Sequence, residues 1–273
     1  MSAGSVRLND GRSLPRLGLG VWQIPPEETA RVVREAAGLG YRLFDGAVIY
    51  GNEEALGEGL RTCGVPREEL WVATKVWSDH HGFDACLRSV EGSLKRLGLD
   101  RVDSVLIHWP APWKDLYVET WKALVRLREE GRVSSIGVSN FEAEHFERLA
   151  DATGVVPALN QIEMHPELPQ RELREVHERM GIATQAWTPL GQGRSFDAPP
   201  VRAAAERTGA TPAQVVLAWS MAVGGVPIPR SRRRERLAEN FAAVGVELTA
   251  GEVEAIAGLG TGRRCGPDPE RFG

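Results

Sequence analysis

The chain has no apolar run approaching the roughly 20 residues needed to cross a bilayer. Its N-terminal stretch, MSAGSVRLNDG, has no apolar signal core. Both absences lead to the expectation of a cytoplasmic protein. Charge of one sign is also missing, because 33 basic and 37 acidic side chains leave a net −4. That balance provides no basic field for nucleic acid or an anionic membrane. Cysteine is scarce: Cys63, Cys86 and Cys265 form an odd, scattered set without a CxxC pair. They fit reduced thiols better than a disulfide framework or a zinc site. Two familiar signatures are absent as well. No GxSxG elbow occurs, and Gly18-Leu19-Gly20-Val21-Trp22-Gln23 misses the last glycine of GxGxxG.

What is present is ordinary in bulk and specific in order. The 273 residues, 42% hydrophobic and 26% charged, suit one soluble α/β barrel, a fold that commonly uses about 250 residues. Residues 5–16 alternate apolar and polar around Asn9-Asp10-Gly11, which predicts a β-hairpin. Strand–helix modules follow. The strands are expected over Leu17–Val21, Tyr41–Phe44, Leu70–Val76, Asp103–His108, Val133–Val138, Ala158–Ile162, Ile182–Trp187 and Val226–Ile228. The helices are expected over 26–39, 53–62, 84–97, 116–130, 142–150, 170–180, 201–208 with 212–221, and 233–242. Continuously apolar strands between amphipathic helices imply a parallel sheet covered on its outer face. Eight such units predict a (β/α)8 TIM barrel with an N-terminal hairpin, a single domain over residues 1–273.

In such a barrel all strand C-termini face one mouth, where ligands sit. Those ends carry Trp22, Asp45 with Tyr50, Lys75 with Trp77, His108 with Trp109, Ser139-Asn140, Gln161, Trp187 and Arg230-Ser231. Each alone has a plain structural explanation, but a full ring of polar and aromatic groups belongs to a pocket. Tyrosine is a poor acid at neutral pH; a nearby ammonium lowers its pKa, and a carboxylate keeps the ammonium charged and oriented. Tyr50, Lys75 and Asp45 supply that chain. His108 can hydrogen-bond the oxygen that gains charge when a carbonyl is attacked. Glu163 and His165 lie close in sequence without a further flanking ligand pair, so no metal site is expected. Phosphate affinity is expected late in the chain. Arginines crowd Ile228–Arg236 at a helix N-terminus after the eighth strand, where barrels commonly hold phosphate.

These stretches make the chain resemble the aldo-keto reductases, especially the bacterial branch that includes 2,5-diketo-D-gluconic acid reductases. The matching segments are GLGVWQ at 18–23, FDGAVIYGNEEALG at 44–57, ATKVW at 73–77, LIHWP at 106–110, IGVSNF at 136–141, NQIEMHP at 160–166, WTPLGQG at 187–193 and IPRSRRRERLAEN at 228–240. The resemblance implies a catalytic set of Asp45, Tyr50, Lys75 and His108, with Tyr50 as general acid. It implies NADPH as cofactor, its nicotinamide amide held by Ser139, Asn140 and Gln161 and its ring stacked on Trp187. Leu190 and Gln192 would span the pyrophosphate; Arg230, Ser231, Arg233 and Arg236 would hold the 2′-phosphate, and Glu239 and Asn240 the adenine. Trp22, Val48, Trp77 and Trp109 would wall the pocket of a small carbonyl substrate. A monomer is the family expectation.

Three positions depart from the family pattern. Gly46 stands where threonine is usual, Trp187 where tyrosine or phenylalanine is usual, and Arg230 where lysine is usual. The tail 260–273 is short, which implies an open pocket. His80 and His81 are expected to be solvated, and Trp71, Trp121 and Trp219 to serve packing. The resulting expectation is an NADPH-dependent carbonyl reductase. Its alternatives are a catalytically weak NADPH-binding sensor or partner subunit, and a sugar-phosphate isomerase on the same barrel.

Overall fold

The computed structural model describes residues 4–273. An antiparallel hairpin, β1 (Ser5–Arg7) and β2 (Ser13–Pro15), precedes eight parallel strands that neighbour one another in chain order. These are β3 (Gly18–Gly20), β4 (Leu43–Asp45), β5 (Trp71–Val76), β6 (Val102–Ile107), β7 (Val133–Ser139), β8 (Leu159–Glu163), β9 (Ala183–Trp187) and β10 (Gly225–Pro227). The ring is nearly closed where β3 returns to the end of β10, the Gly20 amide donating to the Pro229 carbonyl at 3.4 Å. Glycine makes this approach possible: a Cβ on Gly20 would stand 3.1 Å from the Ile228 carbonyl oxygen.

Helices cover the outside: α1 (Pro26–Leu39), α2 (Glu53–Thr62), α3 (Phe83–Leu97), α4 (Tyr117–Glu129), α5 (Ala143–Thr153), α6 (Arg171–Met180), α7 (Pro199–Thr208), α8 (Pro212–Ala222), α9 (Arg234–Ala242) and α10 (Ala250–Ala257). Among the described residues no helix is long and apolar enough to cross a membrane. The α1 terminus shows how local sequence sets these boundaries. Gly40 takes φ 111°, and its amide closes the last turn onto Ala36 and Ala37. A side chain there would also strike the Phe241 ring of α9, 2.7 Å away.

The large core lies between strands and helices, built from residues such as Val33, Leu56, Val72, Leu94, Trp121 and Phe146. A second cluster plugs the barrel from below, joining Leu8 and Leu14 of the hairpin region to Leu43, Leu106, Leu159 and Val226. The expected turn does more than reverse the chain: Asn9 Nδ2 donates to the Pro157 carbonyl at 3.0 Å, and Asp10 accepts from Ser135 Oγ at 2.5 Å. Trp71, Trp121 and Trp219 are buried in packing roles, as expected. Two expectations differ from the fold. Tyr41 does not enter β4, because its buried hydroxyl reaches out of the sheet to the Leu237 carbonyl at 3.0 Å. Helix α10 was not expected at all. It packs Ile256 against Val201, Val215 and Trp219, and a capping box between Thr249 and Glu252 starts it.

Candidate active site

β4 and β5 lie side by side, and their C-terminal ends carry Asp45 and Lys75 to the mouth. The Lys75 side chain is fully buried and spends all three ammonium donors. Nζ lies 2.6 Å from Asp45 Oδ2, 2.8 Å from the Gly46 carbonyl and 3.3 Å from Tyr50 Oη. Tyr50 arrives on a single 3-10 turn, Val48–Tyr50, that Gly51 ends in the left-handed region. Buried Asn52 fastens that turn, its Nδ2 donating to the Val21 and Ile24 carbonyls at 2.9 and 3.0 Å. His108 follows β6 and sets its ring edge-on to Tyr50, with centroids 5.7 Å apart. Four residues from three strand ends therefore form one group, with Asp45, Lys75 and His108 buried and Tyr50 half-buried.

A lone buried ammonium is costly, so the Asp45 carboxylate at 2.6 Å is what keeps Lys75 charged. Burial pulls the Lys75 pKa down, while Asp45, and then Glu53, push it back up. Glu53 was not anticipated from sequence; it is buried between Thr74 Oγ1 at 2.6 Å and Arg96 Nε at 2.8 Å. Burial, followed by the Asp45 charge, raises the Tyr50 phenol well above its ordinary value. This reverses the sequence expectation of an ammonium-lowered phenol. Asp45 already neutralises Lys75, so the phenol senses burial rather than net positive charge. Tyr50 thus stays protonated at neutral pH, the form a proton donor requires. Burial, then the Lys75 charge, hold His108 neutral, well below its usual titration range.

A pH prediction follows from these directions. With Tyr50 raised and His108 depressed, the reductive kcat stays flat from about pH 6 to 8. It falls only on the alkaline side, as Lys75 loses its proton. A stopped-flow pH profile checks this; an inflection near the ordinary histidine pKa of about 6.5 that disappears in His108→Asn would contradict it.

A second buried set adjoins the first. Gln161 Nε2 donates to Asp45 Oδ1 at 2.8 Å and to Gln185 Oε1 at 2.6 Å. Ser139 Oγ donates to the Gln161 carbonyl at 2.8 Å. Asn140, held at φ 63°, donates Nδ2 to the His108 carbonyl and to Ser139 Oγ, both at 3.0 Å. Trp187 shows what its departure from the family pattern adds: its indole Nε1 donates to Asn140 Oδ1 at 2.9 Å, a bond no phenylalanine makes. Gln185 escaped notice because a mid-strand glutamine carries no sequence signal. Leu190 is half-buried beyond β9, and Gln192 is exposed at φ 56°, next to Arg194.

The arginine segment lies at the start of α9. Arg230 donates to Gln23 Oε1 at 2.9 Å and rests over the exposed Trp22 ring at 5.8 Å. Arg232 is committed to Glu28 at 2.9 Å. Arg233, Arg234 and Arg236 are exposed and lack an ion pair among the described residues. Ser231 Oγ accepts the Arg233 amide at 3.2 Å, shaping the turn into α9. On the same helix, Glu239 is half-buried and Asn240 buried.

The pocket wall is assembled only in part. Trp77 stands edge-on to His108 at 5.2 Å, and Trp109 is buried 6.4 Å from Trp187. Val48 is half-buried beside Tyr50, whereas Trp22 turns outward to Arg230. The tail corrects the expectation of an open pocket. Phe272 folds back onto Trp109 at 4.9 Å and Trp77 at 6.1 Å. Gly266 lies against Trp187, where a Cβ would fall 2.4 Å from the ring. His81 is likewise not solvated: it is buried, and burial pushes it down to about 4.

The barrel holds a carboxylate, an ammonium, a phenol and an imidazole together at its mouth, the arrangement of an enzyme. Known proteins agree with that class. The model of the aldo/keto reductase family matches residues 14–260. An aldo-keto reductase of Mycobacterium sp. (strain KMS) is 51% identical over 272 residues, covering 100% of this chain and 99% of its own. Methylglyoxal reductase DkgA of Escherichia coli (strain K12) is 44% identical over 270 residues, 98% of each chain. The crystal structure of a Gox0644 mutant in complex with NADPH superposes with TM-score 0.94 at 47% identity, covering 98% of each chain. The chain belongs to the aldo/keto reductase family.

Proposed function

We propose that this chain reduces the carbonyl group of aldehydes, small dicarbonyls and keto-sugars to alcohols with NADPH, Tyr50 donating the proton. The observation that carries the reading is the placement of Lys75 Nζ, which joins Asp45 at 2.6 Å and the Tyr50 hydroxyl at 3.3 Å inside a buried site. NADPH, when bound, supplies the hydride to the carbonyl carbon. Tyr50 gives its phenolic proton to the carbonyl oxygen. Lys75 Nζ donates a hydrogen bond to the Tyr50 oxygen left behind, and Asp45 with the Gly46 carbonyl keeps that ammonium aimed. Neutral His108 hydrogen-bonds the same oxygen as its charge grows.

The residues present fit the cofactor. Ser139, Asn140 and Gln161 bring amide and hydroxyl groups beside the Asp45–Lys75 pair, where they would hold a carboxamide by exchanging bonds they now make to one another and to their neighbours, and the half-buried Trp187 ring offers a stacking face. Leu190 and Gln192 flank the path expected of the pyrophosphate. Arg233 and Arg236, unpaired at a helix N-terminus, join Arg230 and Ser231 as the 2′-phosphate clamp. Glu239 and Asn240 take the adenine. Trp77, Trp109 and Val48, with Trp22 at the rim, bound the substrate. The similarity to a methylglyoxal reductase and to an NADPH complex supports the same reading. A non-catalytic sensor would not need the whole proton-donating group kept intact. The proposed enzyme acts as a cytoplasmic monomer.

The aromatic wall leads to a substrate prediction. Phenylglyoxal is reduced with a KM about tenfold below that of methylglyoxal, because its ring meets Trp77, Trp109 and Phe272. Steady-state kinetics on both compounds tests this. Equal KM values for the two compounds would show that these aromatic side chains do not bound the substrate.

A further inference from the structure

The end of β8 and the C-terminal tail meet at a point that the proton-donating group does not use. Glu163 is the last residue of β8, and His165 follows two positions on, held by a bridge to Leu168. Both side chains are fully buried. Cys265 arrives from the tail, 100 residues further along. A carboxylate oxygen, an imidazole nitrogen and the sulfur all lie within 4.8 Å of one another. His165 Nε2 stands 3.0 Å from Glu163 Oε1 and 3.6 Å from Cys265 Sγ.

We propose that Glu163, His165 and Cys265 form a binding site for a soft divalent cation of the zinc type, which fastens the C-terminal tail across the barrel mouth. The donor set is the mixture of carboxylate, imidazole and thiol that zinc accepts. Its spacing also suits a tetrahedron. With Zn–N near 2.0 Å and Zn–S near 2.3 Å, adjacent nitrogen and sulfur ligands stand about 3.5 Å apart. The observed 3.6 Å needs almost no adjustment, and the 3.0 Å oxygen–nitrogen pair needs to open by a few tenths of an ångström.

The tail is already docked at this point. The Cys265 amide already donates to Glu163 Oε1, and the Gly266 amide donates to Oε2 at 3.1 Å, so the tail backbone is docked before any ion arrives. The Thr261 and Gly262 amides donate hydrogen bonds to the Glu167 carbonyl at 2.9 and 3.0 Å. Burial opposes the charge on Glu163, yet His165 and the two tail amides outweigh it and keep the carboxyl below its ordinary range. A thiol ligates zinc as the thiolate, so binding releases one thiol proton to solvent. His165 ligates through Nε2 as the neutral ring, its hydrogen moving to Nδ1, which is buried without a hydrogen-bond partner among the described residues. Water completes the coordination.

The consequence reaches the mouth through the tail. Gly266 lies against Trp187, and Phe272 covers Trp77 and Trp109. An ion joining residue 265 to β8 holds those contacts shut, so bound zinc slows turnover.

The test is a titration of metal-free protein with Zn2+ by calorimetry and with Co2+ by visible absorption. The expected result is one site per chain and a thiolate-to-cobalt charge-transfer band. In Cys265→Ser, a change on the half-buried tail, the band disappears and zinc affinity falls at least about 100-fold. His165→Asn gives the same loss, judged only if it folds. Zinc inhibition of the parent is reversed by EDTA and is absent in Cys265→Ser. Two results overturn the proposal: a cobalt complex without the thiolate band, or zinc affinity unchanged in Cys265→Ser. The binding readouts do not depend on turnover, so they stand apart from the reductase reading.

Discussion

A Tyr50→Phe protein binds NADPH as tightly as the parent and reduces methylglyoxal at least about 100-fold more slowly, the usual loss when a general acid is removed. The fold should tolerate the change. The hydroxyl's hydrogen-bond partner is Lys75 Nζ at 3.3 Å, and that ammonium keeps Asp45 at 2.6 Å and the Gly46 carbonyl at 2.8 Å. No buried charge loses its counter-ion, so kcat should fall while the thermal midpoint and the NADPH dissociation constant stay put. Lys75→Met is the instructive contrast. It leaves Asp45 buried without its cation and should destabilise the fold by about 3–5 kcal/mol as well as slowing turnover. Fluorescence titration, steady-state kinetics and thermal melts separate the two variants. A Tyr50→Phe kcat within about threefold of the parent would assign the proton to another group.

Removing both Arg233 and Arg236 as alanines raises the KM for NADPH by about 10- to 100-fold and leaves the KM for NADH unchanged. The argument is one of availability. Both guanidinium groups are exposed at the start of α9 without an ion pair among the described residues, whereas Arg232 is held by Glu28 at 2.9 Å. A free guanidinium gains a strong partner from a phosphate, while a committed one must first give up a carboxylate. Arg232→Ala therefore serves as the internal control and should change NADPH affinity little. Equal losses for NADPH and NADH would show that the arginines support the helix rather than read the 2′-phosphate.

The barrel was legible because its modules obey local rules. Apolar strands alternate with amphipathic helices, and glycine stops such as Gly40 fall where the pattern ends. That Asp45, Tyr50, Lys75 and His108 come together was legible for a related reason: each lies at or just beyond the C-terminal end of a barrel strand, and those ends share one mouth. Other features needed three dimensions. The sign of the Tyr50 shift depends on a 2.6 Å ion pair between residues 30 apart, and sequence spacing gives no measure of how completely Asp45 neutralises Lys75. His81 looked like loop polarity, and its burial arises from packing. The Glu163–His165–Cys265 meeting spans 100 residues and had no motif to announce it. Helix α10 is the instructive miss, because Thr249-Ala250-Gly251-Glu252 is a capping-box pattern that was available in the sequence.

The central claim is that the buried Asp45–Lys75–Tyr50 chain serves hydride reduction with a phosphate-bearing nicotinamide cofactor. The most direct measurement follows loss of nicotinamide absorbance on adding methylglyoxal to purified protein with NADPH and, in parallel, with NADH. The expected result is turnover with NADPH and kcat/KM at least about tenfold lower with NADH. No turnover with either cofactor, across a panel of aldehydes and dicarbonyls, would contradict the account.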